Sequence, residues 1–199
     1  MIKRTLKIQT QRLVLSPLRS SDAVDIYAFA KLPGIGEGAG WHAHHSVRET
    51  LRFIAQAKAN RTFHEPPPLA VRLKENATVM GMIELHTFVN GFKAQIGMSL
   101  HPDFHNQGLM YEASLALIVY GFETLKLKRI SYHCFPDNLP SLRLSEKLPL
   151  RYEGLSRHGY RMPNGMLKDT HVSAITSEDY ETEHATLFQH FKTHYTLQT

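Results

Sequence analysis

The stretch of this 199-residue chain best suited to chemistry is a predicted strand that runs through a short loop directly into a helix. It covers residues 96–113 and reads IGMSLHPDFHNQGLMYEA. The first N–H groups of a helix have no partners inside it and the helix dipole adds positive charge there, so such a turn can hold a pyrophosphate. Gly108 would let the anion approach the main chain closely. A single glycine before a helix is more often only a tight turn, and both interpretations stay open on this evidence.

Two titratable side chains share one face of a predicted strand shortly before this stretch. The strand period places Glu84 and His86 on one side and Ile83 and Leu85 on the other. A carboxylate beside an imidazole can take the proton of an amine. We predict Glu84 as the first candidate general base and His86 as the second. The alternative is the ordinary polar outer face of a sheet.

Clustered histidines and a lone cysteine offer a second kind of chemistry. Zinc sites need three or four ligands in a defined pattern, and no cysteine or further histidine cluster accompanies His42, His44 and His45. We therefore predict surface-loop histidines and no metal. We predict Cys134 to be a buried, inert thiol, and a single cysteine excludes an internal disulfide framework and fits a reducing cytoplasm.

The elements that must position these residues follow from hydrophobic periodicity and turn residues. Pro33–Gly40 is predicted to be a flexible connector, residues 56–68 a loop, and Asn90-Gly91 a hairpin turn. Ser46 and Glu49 have the spacing of a capping box. Strands are predicted at residues 12–18, 69–74, 79–88, 94–100, 129–135, 151–155 and 169–176. Helices are predicted from Ser20–Asp22, from Ser46, after Gly108, after Asn138 and from Ser177 to Tyr195.

Length and composition indicate one globular domain of mixed α/β or α+β class. No apolar run is long enough to span a membrane, and the basic start lacks the apolar segment of a signal peptide, so we expect a cytoplasmic protein. The formal net charge of +5 comes from scattered Lys and Arg without a nucleic-acid motif. We expect no membrane partner and no direct nucleic-acid partner.

The order and spacing of several motifs resemble GNAT N-acetyltransferases of the bacterial RimJ/RimL-like branch. His105, Gly108 and Met110 occupy the three defined places of the acetyl-CoA motif Arg/Gln-x-x-Gly-x-Gly/Ala. The branch places Ile-Gly, Leu and His-Pro before this motif and Glu-Ala after it, as residues 96–102 and 112–113 do here. Residues 136–148 resemble its Asn-x-x-Ser-x-x-x-x-Glu-Lys-Leu segment, although Pro149 and Leu150 replace Gly-Phe. A helix ending before Pro149 must end without a left-handed glycine.

The resemblance implies a single GNAT-type domain over residues 1–180 with a C-terminal helical extension over 181–199. It implies a mixed, mostly antiparallel twisted sheet, splayed where acetyl-CoA inserts, with helices on both faces. The pantetheine arm would pair with strand backbone, and the pyrophosphate would bind at the loop. The implied cofactor-binding residues are Met98, Ser99, Leu100, His101, His105, Asn106, Gln107, Gly108, Leu109, Met110, Asn138 and Ser141.

The same resemblance implies transfer of acetyl to a primary amine. Many members use a tyrosine to protonate the leaving thiolate; Ser145 takes its place here, and Ser141 could hydrogen-bond the thiolate instead. Trp41 would line the acceptor site or anchor its connector. The expected acceptor is a protein N-terminal amine of the ribosomal-protein type. The alternatives are a small amine, polyamine or aminoglycoside, or a homologue that binds acetyl-CoA without catalysis. A monomer and a homodimer both remain open.

Overall fold

One nine-stranded sheet organises the chain in a computed structural model, which describes residues 6–59, 61 and 64–199. Its strands are β1 (Lys7–Gln9), β2 (Leu13–Pro17), β3 (Leu69–Leu73), β4 (Val79–Val89), β5 (Lys93–Leu100), β6 (Arg129–Cys134), β7 (Arg151–Arg161), β8 (Leu167–Thr176) and β9 (Thr196–Gln198). Its helices are α1 (Ala23–Ala30), α2 (Pro33–Ala39), α3 (Val47–Ala59), α4 (Leu109–Val119), α5 (Leu139–Lys147), α6 (Ser177–Glu181) and α7 (Ala185–Lys192). The predicted loop over residues 56–68 lies partly outside the described residues.

The spatial order of the strands is β7-β8-β6-β5-β4-β3-β2-β1-β9. Every neighbouring pair is antiparallel except β5 with β6, which run parallel. A parallel pair needs a long crossover, and α4 lies in that connection. This mostly antiparallel mixed sheet confirms the predicted fold class.

Alternating side chains of the central strands build a separate apolar core on each face of the sheet. Leu69 and Val71 belong to the core that α4 covers, whereas Ala70 between them belongs to the core under α1 and α3. Ten of the eleven residues Leu109–Val119, all but Tyr111, are buried, so α4 is the central helix of the larger core. Burial of this apolar surface is the main force holding sheet and helices together.

Residues 33–39 form helix α2 rather than the flexible connector that the glycines suggested. Pro33 stands in the first turn, where its missing N–H costs nothing, and Gly40 ends the helix in the left-handed conformation with φ 84°. The Trp41 N–H donates to the Gly36 carbonyl at 2.8 Å and completes this helix end. The prediction of a flexible connector was wrong because Pro33 and Gly40 favour the start and the end of a helix, and this outweighs the low helix propensity of the glycines between them.

The predicted C-terminal helix was also wrong in extent. It divides into α6 and α7, and the chain then forms β9, which pairs antiparallel with β1 at the edge of the sheet. Thr176 and Asp179 form a full capping box at the start of α6. The division of the chain at residue 180 stays a prediction.

Three further expectations concern helix and strand ends. The Ser46 hydroxyl accepts from the Glu49 N–H at 3.2 Å, but the Glu49 carboxylate accepts from His45 rather than Ser46, so the capping box is only half formed. Helix α5 ends at Lys147, and the following Leu148 is extended rather than left-handed, as expected from Pro149. Strands β7 and β8 are longer than predicted and form a hairpin. None of the helices in the described part of the chain is long and apolar enough to cross a membrane.

Candidate active site

The parallel pairing of β5 with β6 stops in the middle of both strands. Its last residue pair is Ile96 with Tyr132, although β5 continues to Leu100 and β6 to Cys134. On their other sides β5 stays paired with β4 as far as Leu100, and β6 stays paired with β8 as far as Cys134. The two strands therefore separate beyond Ile96, and residues 97–100 of β5 lack strand partners on that side.

A cavity of about 320 Å³ occupies this opening, and we call it the strand-gap cavity. Met98, Ser99 and Leu100 line it from β5, and α2 covers it through Gly34, Ile35, Gly38 and Ala39. The buried Ser99 hydroxyl has no hydrogen-bond partner among the residues that the structure describes. An unsatisfied buried hydroxyl is costly unless a ligand or water completes it.

The loop between β5 and α4 lies at one end of the strand-gap cavity. Asn106 and Gly108 both have left-handed backbone, with φ 60° and 72°, and Gly108 is the N-cap of α4. His105, Asn106, Gly108, Leu109 and Met110 line the cavity. The loop thus brings the free N–H groups at the start of a buried helix to the cavity wall, as the anion-binding interpretation requires. The His105 ring lies 3.1 Å from the Leu100 carbonyl oxygen and ties the loop to the end of β5.

A buried carboxylate fixes this loop to the turn between β1 and β2. Glu112 accepts hydrogen bonds from the Thr10 hydroxyl at 2.5 Å, the Arg12 N–H at 2.8 Å and the Arg12 Nε at 2.6 Å. The Arg12 Nη1 also donates to the Gln107 carbonyl at 2.9 Å. The Glu-Ala pair after the motif therefore has a positioning role that its sequence did not disclose.

A second cavity, of about 680 Å³, opens on the opposite side of the strand gap, and we call it the Glu84 cavity. Glu84 and His86 line it from β4, on the face opposite to the buried Ile83 and Leu85, as the strand period predicted. Gly97 on β5 lies beneath both side chains, because a Cβ built there would come within 2.9 Å of the His86 ring and 3.4 Å of Glu84 Cγ. The two cavities share Gly38, Ala39, Met98, Ser99 and Ser141.

Glu84 is held by a partly buried arginine, Arg61, that the sequence gave no reason to select. Arg61 pairs with Glu84 and also donates to Glu65 at 3.1 Å and to the Leu85 carbonyl at 3.0 Å. Burial lowers the pKa of the Arg61 guanidinium, and the Coulombic effect of Glu65 opposes this shift. The pair lies 23 residues apart along the chain, so no local pattern could have identified it.

Burial favours the neutral form of two histidines that line the Glu84 cavity, His86 and His133. Burial, with Arg61 and His133 as further causes, lowers the pKa of His86 to about 4. Burial and Arg129 likewise lower the pKa of His133, which lines the same cavity from β6. Neutral imidazoles at physiological pH can accept a proton or a hydrogen bond from a ligand.

Ser141 and Asn138 meet the site from α5. Asn138 is the N-cap, where its Oδ1 accepts from the Ser141 N–H at 3.2 Å, while its Nδ2 donates to the Gly38 carbonyl at 3.0 Å. The Asn138 side chain therefore caps α5 through Oδ1 and joins it to α2 through Nδ2. Ser145 is buried with its hydroxyl donating to Ser173 at 3.1 Å, and it lines neither cavity.

Trp41 and His44 lie in the segment that follows α2. Trp41 lines the Glu84 cavity and packs against His44 and Phe53 with ring centroids 5.0 and 6.2 Å away. The expectation of a surface histidine was wrong for His44, which is 7% exposed and contacts the Thr50 hydroxyl at 2.9 Å. Within the described residues no three His, Cys, Asp or Glu side chains gather closely enough to hold a metal. Burial raises the pKa of the Cys134 thiol to about 11, in keeping with the predicted inert cysteine.

The structure brings most of the predicted site residues to the two cavities. His101 and Gln107 are the exceptions and line neither one. The His101 ring packs between Phe29 and Phe104, and the Gln107 side chain donates to the Asp103 carbonyl. Sequence reasoning missed the lining residues Arg61, Tyr132, Arg143, Lys147 and Tyr160. Only Arg143 and Lys147 carried a signal, since a spacing of four places two cations on one face of α5.

Comparison with known proteins agrees with this arrangement. The family described as "Acetyltransferase (GNAT) domain" matches residues 12–151. The N-acetyltransferase p20 of Bacillus licheniformis, which is uncharacterised, is 33% identical over 175 residues, or 87% of this chain and 97% of p20. YdaF of Bacillus subtilis, named provisionally as a ribosomal N-acetyltransferase, is 32% identical over 140 residues, or 69% of this chain and 75% of YdaF.

A solved structure shows the same likeness in three dimensions. It is a Vibrio cholerae protein, named provisionally as a ribosomal-protein-serine acetyltransferase, and it is 26% identical with a TM-score of 0.74. The match covers 85% of this chain and 97% of that protein. Strands β5 and β6 separate beside the loop that precedes α4, and the family match covers more than half of the chain. The chain therefore belongs to the GNAT family and is an N-acetyltransferase.

Proposed function

We propose that this enzyme transfers acetyl from acetyl-CoA to the N-terminal amine of a polypeptide, with the ribosomal-protein type as the acceptor. The observation that carries the proposal is the end of the β5–β6 ladder at Ile96 and Tyr132, which leaves an open strand edge between two joined cavities. One cavity can take the cofactor and the other the amine, so that the two reactants meet at Ser99 and Ser141.

The residues around the strand gap fit coenzyme A. The free backbone of residues 97–100 can pair with the amides of a pantetheine arm as an added strand would. The unpartnered Ser99 hydroxyl and the loop over residues 105–110 offer further donors to the arm and the pyrophosphate. Arg143 and Lys147 add two positive charges to the same cavity for the phosphates. The cosubstrate supplies the acetyl group as a thioester.

The residues of the Glu84 cavity fit an amine that must lose a proton before it attacks. Glu84 is the proposed proton acceptor, directly or through water, and Arg61 fixes the orientation of its carboxylate. His86 is the second candidate and can orient the neutral amine through its uncharged ring. Arg61, Glu65 and Glu84 together carry one net negative charge, which favours a cationic acceptor over an anionic one.

The polypeptide acceptor is supported by the provisional names of two relatives, YdaF and the Vibrio cholerae protein. The test is thiol release from acetyl-CoA with N-terminal peptides, polyamines and aminoglycosides assayed in parallel. We expect the highest kcat/KM with peptides. A higher kcat/KM with polyamines or aminoglycosides would contradict the polypeptide acceptor and indicate a small-molecule acceptor instead. Calorimetric binding of acetyl-CoA without turnover of any amine would indicate a non-catalytic homologue.

The role of Glu84 is tested by Glu84→Gln. Loss of the proton acceptor should lower kcat by about 100-fold, whereas acetyl-CoA binding measured by calorimetry should not change. Glu75→Gln is the matched control, because Glu75 is an exposed turn residue outside both cavities. An unchanged kcat in Glu84→Gln would transfer the role to His86 or to water.

A further inference from the structure

We propose that Thr170 is a specificity-determining residue of the acceptor site, where its hydroxyl donates a hydrogen bond to a main-chain carbonyl in the second or third residue of the acceptor. The inference rests on the proposed function, since it deepens the choice of a polypeptide over a small amine. It concerns strand β8, which lies outside the motifs by which the chain resembles its family.

Buried side-chain polar atoms without a hydrogen-bond partner are concentrated at the Glu84 cavity. Among the residues that the structure describes there are three, the hydroxyl oxygens of Ser99, Thr170 and Tyr195. Ser99 and Thr170 line the Glu84 cavity, whereas Tyr195 lines neither cavity. Thr170 is only 3% exposed, so its hydroxyl has lost water without gaining a partner among the described residues. Such a group is costly in the free protein and is satisfied when a ligand reaches it.

The register of the sheet places Thr170 across the strand gap from Ser99. The ladder of β6 with β8 pairs Cys134 with His171, and continuing that register brings Phe135 beside Thr170. The last pair of the β5–β6 ladder lies three residues before Ser99 on one strand and three before Phe135 on the other, so all three residues share one row. Adjacent strands are about 4.8 Å apart, so Ser99 and Thr170 are separated by about 10 Å or more, with the gap between them.

Thr170 lies on the face of the sheet that carries the proposed proton acceptor. Strand alternation puts it on the side of Val172, and Val172 pairs with His133, which lines the same cavity as Glu84. Gly159 on β7 also lines this cavity, and a Cβ there would come within 2.4 Å of the Thr170 Oγ1. Any other residue at position 159 would cover the hydroxyl, so the glycine leaves room for a ligand atom beside it.

Other polar groups that line the Glu84 cavity already have partners. The Tyr160 hydroxyl donates to the Gly40 carbonyl at 3.0 Å, and Glu84 is paired with Arg61. Thr170 therefore adds a hydroxyl donor that no described contact of the protein uses.

The distance across the gap suits an extended polypeptide. Such a chain advances about 3.3–3.6 Å per residue, so an acceptor whose amine lies in the gap beside Ser99 brings its second or third residue to Thr170. A carbonyl accepts from a hydroxyl whatever side chains the acceptor carries. The hydrogen bond thus selects for an acceptor with peptide bonds beyond its first residue.

The test compares alanine amide with trialanine amide as acceptors for wild type and for Thr170→Val, which replaces the hydroxyl by a methyl group of similar size. We expect kcat/KM for trialanine amide to fall about fivefold in this variant through the lost hydrogen bond. The kcat/KM for alanine amide and the calorimetric Kd of acetyl-CoA should not change. Thr170→Ser keeps the hydroxyl and should act on both acceptors as wild type does.

Thermal denaturation separates this binding role from a structural one. Because the Thr170 hydroxyl has no described partner, Thr170→Val should leave the Tm equal or raise it. Thr50→Val is the matched control for stability, since Thr50 is also buried but its hydroxyl lies 2.9 Å from the His44 ring, and this variant should lower the Tm. A lower Tm in Thr170→Val would show that its hydroxyl is bonded within the protein and would overturn the inference.

The kinetic outcomes separate the inference from the function beneath it. If wild type acetylates neither amide, the proposed polypeptide acceptor fails and the role of Thr170 fails with it. If wild type acetylates both amides but Thr170→Val changes the two kcat/KM values equally or not at all, only the role of Thr170 fails.

Discussion

In the Glu84 cavity, the orientation of Glu84 and the protonation state of His86 depend on the neighbouring residues. Arg61 is partly buried and pairs with two carboxylates, and its positive charge helps to keep His86 unprotonated. Gly97 leaves the space above β5 in which the His86 ring lies. The result is a fixed carboxylate beside a neutral imidazole, an arrangement that exists over a wide pH range because the pKa of His86 is about 4.

The lowered pKa of His86 predicts a pH dependence of stability. The unfolded chain takes up this proton near pH 6.5 but the folded chain only near pH 4, so the unfolding free energy is full above pH 6.5 and falls as the pH drops toward 4. His86→Gln should remove this contribution, about 2 kcal/mol between pH 6.5 and about pH 5. Chemical denaturation at about pH 7.5 and about pH 5 measures it. The exposed His42→Gln is the control, and an unchanged pH dependence in His86→Gln would contradict the assignment.

Helix α2 shows how an element of low propensity is kept in place by its neighbours. Three of its seven residues are glycine. Asn138 on α5 and Tyr160 on β7 each donate a hydrogen bond to carbonyls at its C-terminal end, Gly38 and Gly40. The helix covers the point where the two cavities meet, so these two hydrogen bonds also set the walls of the site.

Two glycines of α2 should respond in opposite ways to alanine. A Cβ on Gly34 would meet no atom within 4 Å, and Gly34→Ala should raise the unfolding free energy by about 0.5–1 kcal/mol through better helix propensity. A Cβ on Gly36 would come within 2.7 Å of the Trp41 carbonyl oxygen and 3.0 Å of the Ala43 nitrogen. Gly36→Ala should therefore destabilise the protein by about 1–3 kcal/mol. Thermal denaturation of both variants compares them directly, and equal effects would show that α2 is not packed this way.

At the scale of the whole molecule, contacts between residues far apart in the chain hold distant segments together. Glu112 at the start of the central helix binds Thr10 and Arg12, about 100 residues earlier. Strand β9 adds the last residues of the chain to the edge formed by the first described ones. These contacts join the loop of the candidate cofactor site to a sheet edge several strands away.

Glu112→Gln tests this long-range connection. The amide oxygen can keep only the donors of one carboxylate oxygen and the amide nitrogen would face the remaining donor, so a hydrogen bond and the ion pair with Arg12 are lost and the unfolding free energy should fall by about 1–3 kcal/mol. Because Arg12 also holds the Gln107 carbonyl, the KM for acetyl-CoA should rise several-fold. Denaturation and steady-state kinetics measure the two effects, with Glu75→Gln as the control. A change in stability without a change in KM would show that the hydrogen bonds of Glu112 do not position the cofactor loop.

Most strands, the central helix and the shared face of Glu84 and His86 were predictable from the sequence, because side-chain periodicity is a local property. The N-cap role of Asn138 and the unusual end of α5 before Pro149 were predictable for the same reason. Resemblance of motif order then indicated the family before any contact was known. Residues placed by loop conformation were predicted less well, as His101 and Gln107 show.

By itself, the sequence determined the fold class, the loop that opens α4, and which carboxylate and imidazole face the site. Only the tertiary structure decided that residues 33–39 are helical, that the chain ends as a strand beside β1, and that Arg61 holds Glu84. The physical reason is that hydrogen bonds and ion pairs between distant segments leave no periodic trace along the chain. The strand gap belongs to this second group, because a ladder that stops at Ile96 can be recognised only when both strands are seen together.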